Sequence, residues 1–302
     1  MPQTNTGWWS PILNSLLPSL AEFRRNDPLR MAGATAFFTT FALPPILFII
    51  IHLFGVFSDR RTLGRSIIER LTHTIGEDGA NQVRQVLRSI RGFSDSWWVI
   101  AVGVLFLFFV ATTLFTVIKN SFNQIWQISV KEKPGAIFLL RLRLRSLAII
   151  LFAGLLFIAD TAFEVMGGLA GNVVDSIWSG GGNYFKSALN EIIAAAIVTL
   201  WIIVLFRFLA DGRPRWKPAI TGGILTGLLF TGGKELVSYL LIESDMSRMF
   251  GTAGAFVLIL LFVFYSSFIL YYGASFIYVY SEKLKQPVLP TSDAFSYTIE
   301  AS

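Results

Sequence analysis

The sequence predicts an all-α integral membrane protein with six transmembrane helices and additional amphipathic helices at the membrane interface. Hydrophobic residues make up 54% of the 302 residues, and the mean hydropathy is +0.61. Charged residues make up only 15%, whereas a soluble domain usually carries about 25%. Too few polar side chains remain to cover a surface that faces water, so lipid must solvate much of the protein.

Six apolar runs are each long enough to cross the hydrocarbon core of a bilayer, which needs roughly 20 helical residues. In the first run, Pro44 and Pro45 remove two backbone donors, so we expect a kink there. Together with their connections the runs form one membrane domain over residues 31–285. The predicted spans cover residues 31–57, 96–118, 146–168, 187–209, 219–242 and 251–280.

The segment 1–30 is expected to be a cytoplasmic amphipathic helix. Apolar residues recur near helical spacing from Trp8 to Phe23, which is typical of a helix that lies in the membrane interface, and Pro18 is expected to bend or interrupt it. At the other end of the chain, residues 286–302 are expected to be a flexible tail.

The outer loop 58–95 carries two apolar stripes separated by Glu77, Asp78 and Gly79. This pattern predicts two short amphipathic helices on the outer face of the membrane, and packing against the ends of the spans explains it equally well.

The distribution of lysine and arginine predicts that both termini are cytoplasmic. With this orientation, 15 of these residues lie on the inner side and 9 on the outer side, seven of them in the outer loop. The net charge of +6 is then explained by the positive-inside rule and by anionic lipid, so nucleic acid is not an expected partner. The absence of cysteine excludes disulfides and thiolate chemistry.

Ionisable side chains inside the predicted spans are the most informative feature. A charge that faces lipid costs at least about 2.5–3.5 kcal/mol, so such groups are expected to turn inward. At 1.5 Å per residue, Asp160 and Lys234 both lie roughly 21–23 Å from the inner ends of their spans, in the outer half of the membrane. We therefore expect Lys234, the basic residue at that depth, to pair with Asp160 or Glu164. A structural ion pair and a hydrated cavity that opens outward both explain the pattern. The hypothetical polar site comprises Asp160, Glu164, Glu191, Lys234 and Glu235.

Two other motifs are interpreted as structural. Gly223 and Gly227 lie four residues apart in the fifth span, a spacing that lets another helix approach closely. Asn123 and Trp126 follow the second span, which is typical of a helix end with an aromatic anchor at the membrane interface.

Several sequence blocks carry a family resemblance that covers nearly the whole chain. They are MAGATAFFTTFALPPILFII in the first span, FTVIKNSFNQIWQI at the end of the second, RLRLRSLAIILFAGLLF in the third, LFRFLADGRPRWKPAITGGILTGLLFTGGKELVSYLL in the fourth and fifth, and GTAGAFVLILLFVFYSSFILYYGASFIYVYSEK in the sixth. In this order the blocks resemble the YihY/BrkB family of bacterial inner-membrane proteins, once misnamed ribonuclease BN. Relatives often have Gly-Ala-Glu where this chain has Gly273, Ala274 and Ser275. The resemblance implies a location in the bacterial inner membrane, with transport or envelope-lipid roles as suggested activities.

The residues themselves argue against nuclease chemistry, which needs metal ligands or an acid–base pair in water. His52 and His73 have no metal-ligand spacing around them, so we expect no ribonuclease activity, no metal and no cofactor. The leading hypothesis is movement of an ion, lipid or small solute across or within the membrane. The alternative is a non-transporting envelope factor or scaffold that binds lipid or an unidentified protein partner through its amphipathic segments. Membrane lipids are expected partners in both cases.

Overall fold

Helices dominate the computed structural model, which describes residues 10–54, 60–91, 97–130, 143–160, 162–163, 181–242 and 254–297. The helices in these ranges are α1 (Ser10–Arg25), α2 (Pro28–Phe54), α3 (Arg60–Arg91), α4 (Trp97–Ile125), α5 (143–160), α6 (Gly181–Phe208), α7 (Trp216–Ile242) and α8 (Gly254–Lys283). The strands are β1 (Ile128–Val130), β2 (Gly212–Arg213), β3 (Leu289–Pro290) and β4 (Ala294–Ser296).

Within the described residues, each of the six predicted spans overlaps a helix, namely α2 and α4 to α8. The helices α2, α4, α6, α7 and α8 contain 27 to 30 residues, roughly 40–45 Å at 1.5 Å per residue. This length exceeds the roughly 30 Å of a hydrocarbon core. Two segments, Ser187–Phe208 in α6 and Phe256–Lys283 in α8, meet the requirements of length and apolarity for crossing a membrane.

The amphipathic helix α1 lies along α8 and presents leucines to the outside. Ser19 and Phe23 are buried, and the Phe23 ring packs edge-on against that of Phe268, with 4.7 Å between centroids. Leu13 and Leu17 are 64% and 79% exposed. Phe23 and Ser19 therefore lie on the face of α1 that packs against α8. Leu13 and Leu17 lie on a separate face that points away from the bundle.

The expected interruption at Pro18 does not occur, because α1 runs continuously from Ser10 to Arg25. Proline has no N–H to donate to the carbonyl of Asn14, four residues earlier. The ammonium of Lys283, at the end of α8, donates to that carbonyl instead. The end of α8 thus supplies the donor that the proline removes. Helix α2 also continues through Pro44 and Pro45, whose side chains lie outside the described residues.

The prediction of two short helices in the outer loop is wrong. Residues Arg60–Arg91 form a single helix of 32 residues that passes through Glu77, Asp78 and Gly79. This helix packs against α2, α7 and α8, and Ala80 beside the glycine is buried. A glycine inside a helix destabilises it by about 1 kcal/mol relative to alanine, and the burial of Ile67, Ile68 and Val83 against the neighbouring helices offsets this local cost.

Small residues bring α7 close to its two neighbours. A Cβ atom at Gly223 would lie 2.2 Å from Cγ1 of Ile203 in α6, and one at Gly227 would lie 2.1 Å from Oγ1 of Thr199. On the adjacent side of α7, a Cβ at Gly222 would lie 2.3 Å from a side-chain carbon of α8. Glycines therefore set the spacing of the α6–α7–α8 layer.

Four strands gather at one end of the helices, which we call the strand end. β1 pairs antiparallel with β4, and β2 with β3. The expectation of a flexible tail from residue 286 is corrected for 286–297, because these residues carry β3 and β4. They join the segment after α4 to the turn between α6 and α7. Residues 298–302 lie outside the described ranges.

Candidate functional site

A cavity of about 620 Å³ lies between α3, α5, α6 and α7, away from the strand end. Its charged lining comes from three helices, with Glu69 and Arg70 on α3, Asp160 at the end of α5, and Glu191 on α6. The neutral lining residues are Ser66, Ser187, Asn190, Ile193, Ala194, Ala195, Val198, Phe230 and Thr231. Polar and apolar groups therefore share one chamber inside a bundle of apolar helices.

An ion pair forms one wall of this cavity. The guanidinium of Arg70 donates to the carboxylate of Asp160, whose side chain is 13% exposed. Arg70 also lies over the Phe157 ring, with its guanidinium carbon 5.2 Å from the centroid. A charge-assisted hydrogen bond together with a cation–π contact fixes the guanidinium more firmly than one contact would.

The structure brings two of the residues of the hypothetical polar site to this cavity. Asp160 and Glu191 line it together, although they come from different predicted spans. Glu164 lies outside the described residues. Lys234 and Glu235 lie in α7, but their side chains are also outside the described part, so the pairing of Lys234 with Asp160 or Glu164 stays a prediction.

The basic residue that contacts Asp160 in the structure is Arg70, which sequence analysis assigned to the outer loop. The assumption that Lys234 was the one basic residue at this depth is therefore wrong. Arg70 reaches the carboxylate because α3 packs against the other helices of the bundle. The only signal in the sequence was its place beside Ile67, Ile68 and Leu71 in an apolar stripe.

A second, smaller cavity of about 280 Å³ shares Arg70 with the first. Apart from Arg70 its lining is entirely apolar, with Leu47, Ile50, Ile67, Leu71, Ala153 and Phe157 from α2, α3 and α5. The guanidinium therefore stands between a polar chamber and an apolar one.

A second group of charges is buried at the strand end, around Asp211 in the turn between α6 and α7. Lys119 Nζ lies 3.0 Å from Asp211 Oδ2, and these side chains are 5% and 6% exposed. Arg145 Nη1 lies 3.5 Å from Asp211 Oδ1. Asn123 donates from Nδ2 to Asp211 Oδ2 over 2.9 Å and accepts from the Asp211 backbone N–H over 3.0 Å. We call these four residues the Asp211 cluster.

The Asp211 cluster has no distinct signal in the sequence, because the positive-inside rule already explains its two cations. Lys119 and Arg145 were counted as ordinary cytoplasmic charges, and Asp211 lies in a short turn. The cluster joins α4, α5 and the α6–α7 turn at the strand end.

The interpretation of Trp126 as an interfacial anchor is wrong. Helix α4 does end at Ile125, but Trp126 is only 2% exposed. Its Nε1 donates to the Ala274 carbonyl over 3.0 Å, and its ring stacks on Phe122 at 5.4 Å between centroids. A Cβ at Gly212 would lie 2.7 Å from the same indole. Trp126 is therefore a core residue that joins α4, α8 and the α6–α7 turn.

Ser275, which stands where relatives often have glutamate, is fully buried and donates to the Tyr271 carbonyl over 3.0 Å. Within the described ranges, no three His, Cys, Asp or Glu side chains are grouped so that they could hold a metal ion. The described polar chemistry is thus that of ion pairs, amides and hydroxyls.

Long apolar helices that enclose an ion pair, with a second set of charges buried at one end, define a helical membrane protein. The chain belongs to the family described as Virulence factor BrkB, whose sequence pattern matches residues 19–294. The resemblance to the YihY/BrkB family is thereby confirmed.

Curated relatives carry the description UPF0761 membrane protein. The chain is 21% identical over 289 residues to the one from Chlorobium luteolum, covering 93% of this chain and 64% of the relative. It is 24% identical over 268 residues to the relative from Janthinobacterium sp. (strain Marseille), and this alignment covers 88% of this chain and 59% of the relative. It is also 24% identical over 228 residues to the relative from Neisseria meningitidis serogroup B, and this alignment covers 74% of this chain and 53% of the relative. The chain thus spans less than two thirds of the length of these relatives. No solved structure matches the chain.

Proposed function

We propose that the protein crosses the bacterial inner membrane six times, with both termini in the cytoplasm, and moves an ion, lipid or small solute across or within that membrane. The observation that carries this proposal is the cavity of about 620 Å³ lined by Arg70, Asp160 and Glu191. Ionisable groups at membrane depth usually face a bundle interior or a water-filled cavity and mark pathways for ions or substrates.

The two ends of the molecule differ in a way that supports transport. The Asp211 cluster and the strand pairs β1–β4 and β2–β3 tie the chain segments of the strand end together. The cavity lies toward the opposite end, beside the first half of α6 and the second half of α7. With cytoplasmic termini, this arrangement places the cavity toward the outer side of the membrane, as an outward-facing binding site of a carrier requires.

Single-cysteine labelling tests the cavity, since the chain has no native cysteine. Asn190→Cys places a thiol on the cavity lining, and Ile192→Cys places one two residues away on a side chain that is 67% exposed but does not line the cavity. Maleimides react with thiolates, which form in water. We expect an impermeant maleimide added to the outside of intact cells to label Asn190→Cys and to spare Ile192→Cys, which faces lipid.

Ser129→Cys in β1 serves as the control for orientation, because it lies at the strand end. We expect its labelling only after the cytoplasmic face is opened. Equal labelling of the cysteines at 190 and 192 would contradict the proposal of a hydrated cavity. Labelling at position 129 from outside would contradict the proposed orientation.

The alternative, a non-transporting envelope factor or scaffold, is supported by the exposed Leu13 and Leu17 on α1. These leucines provide an apolar surface for lipid or for an unidentified protein partner. The labelling experiment separates the two functions, because a scaffold needs no hydrated cavity.

We also propose that the protein is not a ribonuclease, so purified protein should leave RNA intact. Cleavage that a point substitution in this chain abolishes would contradict this.

A further inference from the structure

The lining of the cavity changes from polar to apolar along α6. Ser187, Asn190 and Glu191 lie in the part of the helix nearer its N-terminus. Ala194 and Val198, one and two turns further on, continue the same wall without a polar group. A site for an inorganic ion would have no use for the apolar portion, whereas an amphiphile would contact both portions.

Arg70 marks a second boundary between polar and apolar space, because it lines both the polar cavity and the apolar cavity of about 280 Å³. Pockets for small molecules usually have volumes of about 300–1,000 Å³, are mostly apolar and contain a few polar groups that fix orientation. Together, the two chambers fall in this range and offer one polar and one apolar compartment.

The polar compartment offers acceptors suited to an amine. Glu69 and Glu191 line it and are exposed residues, whereas Asp160 is engaged by Arg70. Asn190 is also on the lining, and its Oδ1 is buried without a hydrogen-bond partner. An unsatisfied buried acceptor costs about 1–3 kcal/mol, and an ammonium group supplies three donors.

The polar cavity lining adjoins an exposed apolar surface along α6. Glu191 is followed by Ile192, which is 67% exposed, so the polar lining and the lipid-facing surface adjoin on one helix.

We propose that the cavity binds an amphiphile that has one apolar chain or more and a headgroup with a positively charged amine. The amine lies between Glu69 and Glu191 and donates to Asn190, and a chain lies against Ala194 and Val198. This inference rests on the proposed transport function and selects a lipid-like substrate from its three classes.

The test measures binding to the full-length protein in neutral detergent by native mass spectrometry. The probes are lysophosphatidylethanolamine, lysophosphatidylglycerol with the same chain, and phosphoethanolamine without a chain. We expect lysophosphatidylethanolamine to bind at least tenfold more tightly than the other two. Glu191→Gln should weaken its binding at least tenfold. Glu77→Gln, an exposed change on α3 that is not on the cavity lining, should leave it unchanged.

Other outcomes separate this inference from the proposed function. Equal binding of lysophosphatidylglycerol would overturn recognition of the amine. Equal binding of phosphoethanolamine would replace the amphiphile by a small solute and leave transport standing. If no probe binds while Asn190→Cys is labelled from outside, binding of an amphiphile is refuted, and the proposal of a hydrated cavity is still supported. If that cysteine is also unreactive, both proposals fail.

Discussion

Replacing Asp211 by asparagine tests how much the buried charges of the Asp211 cluster stabilise the strand end. The change keeps the size of the side chain and removes its negative charge. Lys119 Nζ, 3.0 Å away, and Arg145 Nη1, 3.5 Å away, then lose this carboxylate. Because the Lys119 side chain is only 5% exposed, water cannot readily replace the lost partner.

The expected loss of stability follows from this burial. Breaking a buried ion pair by removing one partner costs about 3–5 kcal/mol. At 1.4 kcal/mol for each factor of ten, this lowers the ratio of folded to unfolded protein by roughly 10²–10⁴. The bond from Asn123 Nδ2 to the Asp211 side chain can survive through the amide oxygen, so the loss reports mainly on charge.

Asp27→Asn is the matched control, because Asp27 forms an exposed ion pair with Arg30 at 3.1 Å. Exposed pairs contribute about 0–1 kcal/mol. Unfolding in detergent, followed by tryptophan fluorescence, should therefore show a much larger loss for Asp211→Asn than for Asp27→Asn. The loss in the free energy of unfolding of the double variant Asp211→Asn/Lys119→Met should be smaller than the sum of the losses of the two single variants. We expect this difference to be at least about 0.5 kcal/mol. Equal losses for the two Asp→Asn variants, or strict additivity in the double variant, would refute the account of the cluster.

Two further predictions concern packing. Gly227→Ala should destabilise the protein by about 1–3 kcal/mol, because its Cβ would lie 2.1 Å from Thr199 Oγ1, whereas Gly232→Ala, with no atom within 4 Å, should be neutral or stabilising in the same unfolding assay. Trp126→Phe should cost about 1–2 kcal/mol by removing a buried hydrogen bond to a carbonyl of α8, and Trp216→Phe, at a side chain that is 53% exposed, should cost about 0.5 kcal/mol or less. Losses that do not differ within each pair would contradict the packing described for α7 and for Trp126.

The positions of the helices could be predicted because apolar runs of at least 20 residues leave few alternatives. The continuity of α3 could not, since Glu77, Asp78 and Gly79 look locally like a break and only packing against neighbouring helices overrides them. The strands β3 and β4 were also missed. Strands of two and three residues show no periodicity, and their partners are more than 70 residues away in the chain.

Part of the cavity could be anticipated because Asp160 and Glu191 interrupt apolar runs, where charge needs an explanation. Arg70 could not be identified as the partner of Asp160, because the two lie 90 residues apart and a charge in an apparent loop carries no such signal. The Asp211 cluster was hidden for a related reason. A general rule on cytoplasmic charge accounts for Lys119 and Arg145 whether or not they are buried.

An experimental structure of the protein in lipid nanodiscs tests the central claim most directly. The account predicts a cavity between α3, α5, α6 and α7 that opens away from the strand end and contains density that does not belong to the protein, beside Glu191. It also predicts that Arg70 contacts Asp160 on the wall of this cavity. A bundle whose side chains fill that space, or one in which Arg70 and Asp160 point to different sides of the bundle, would contradict the account.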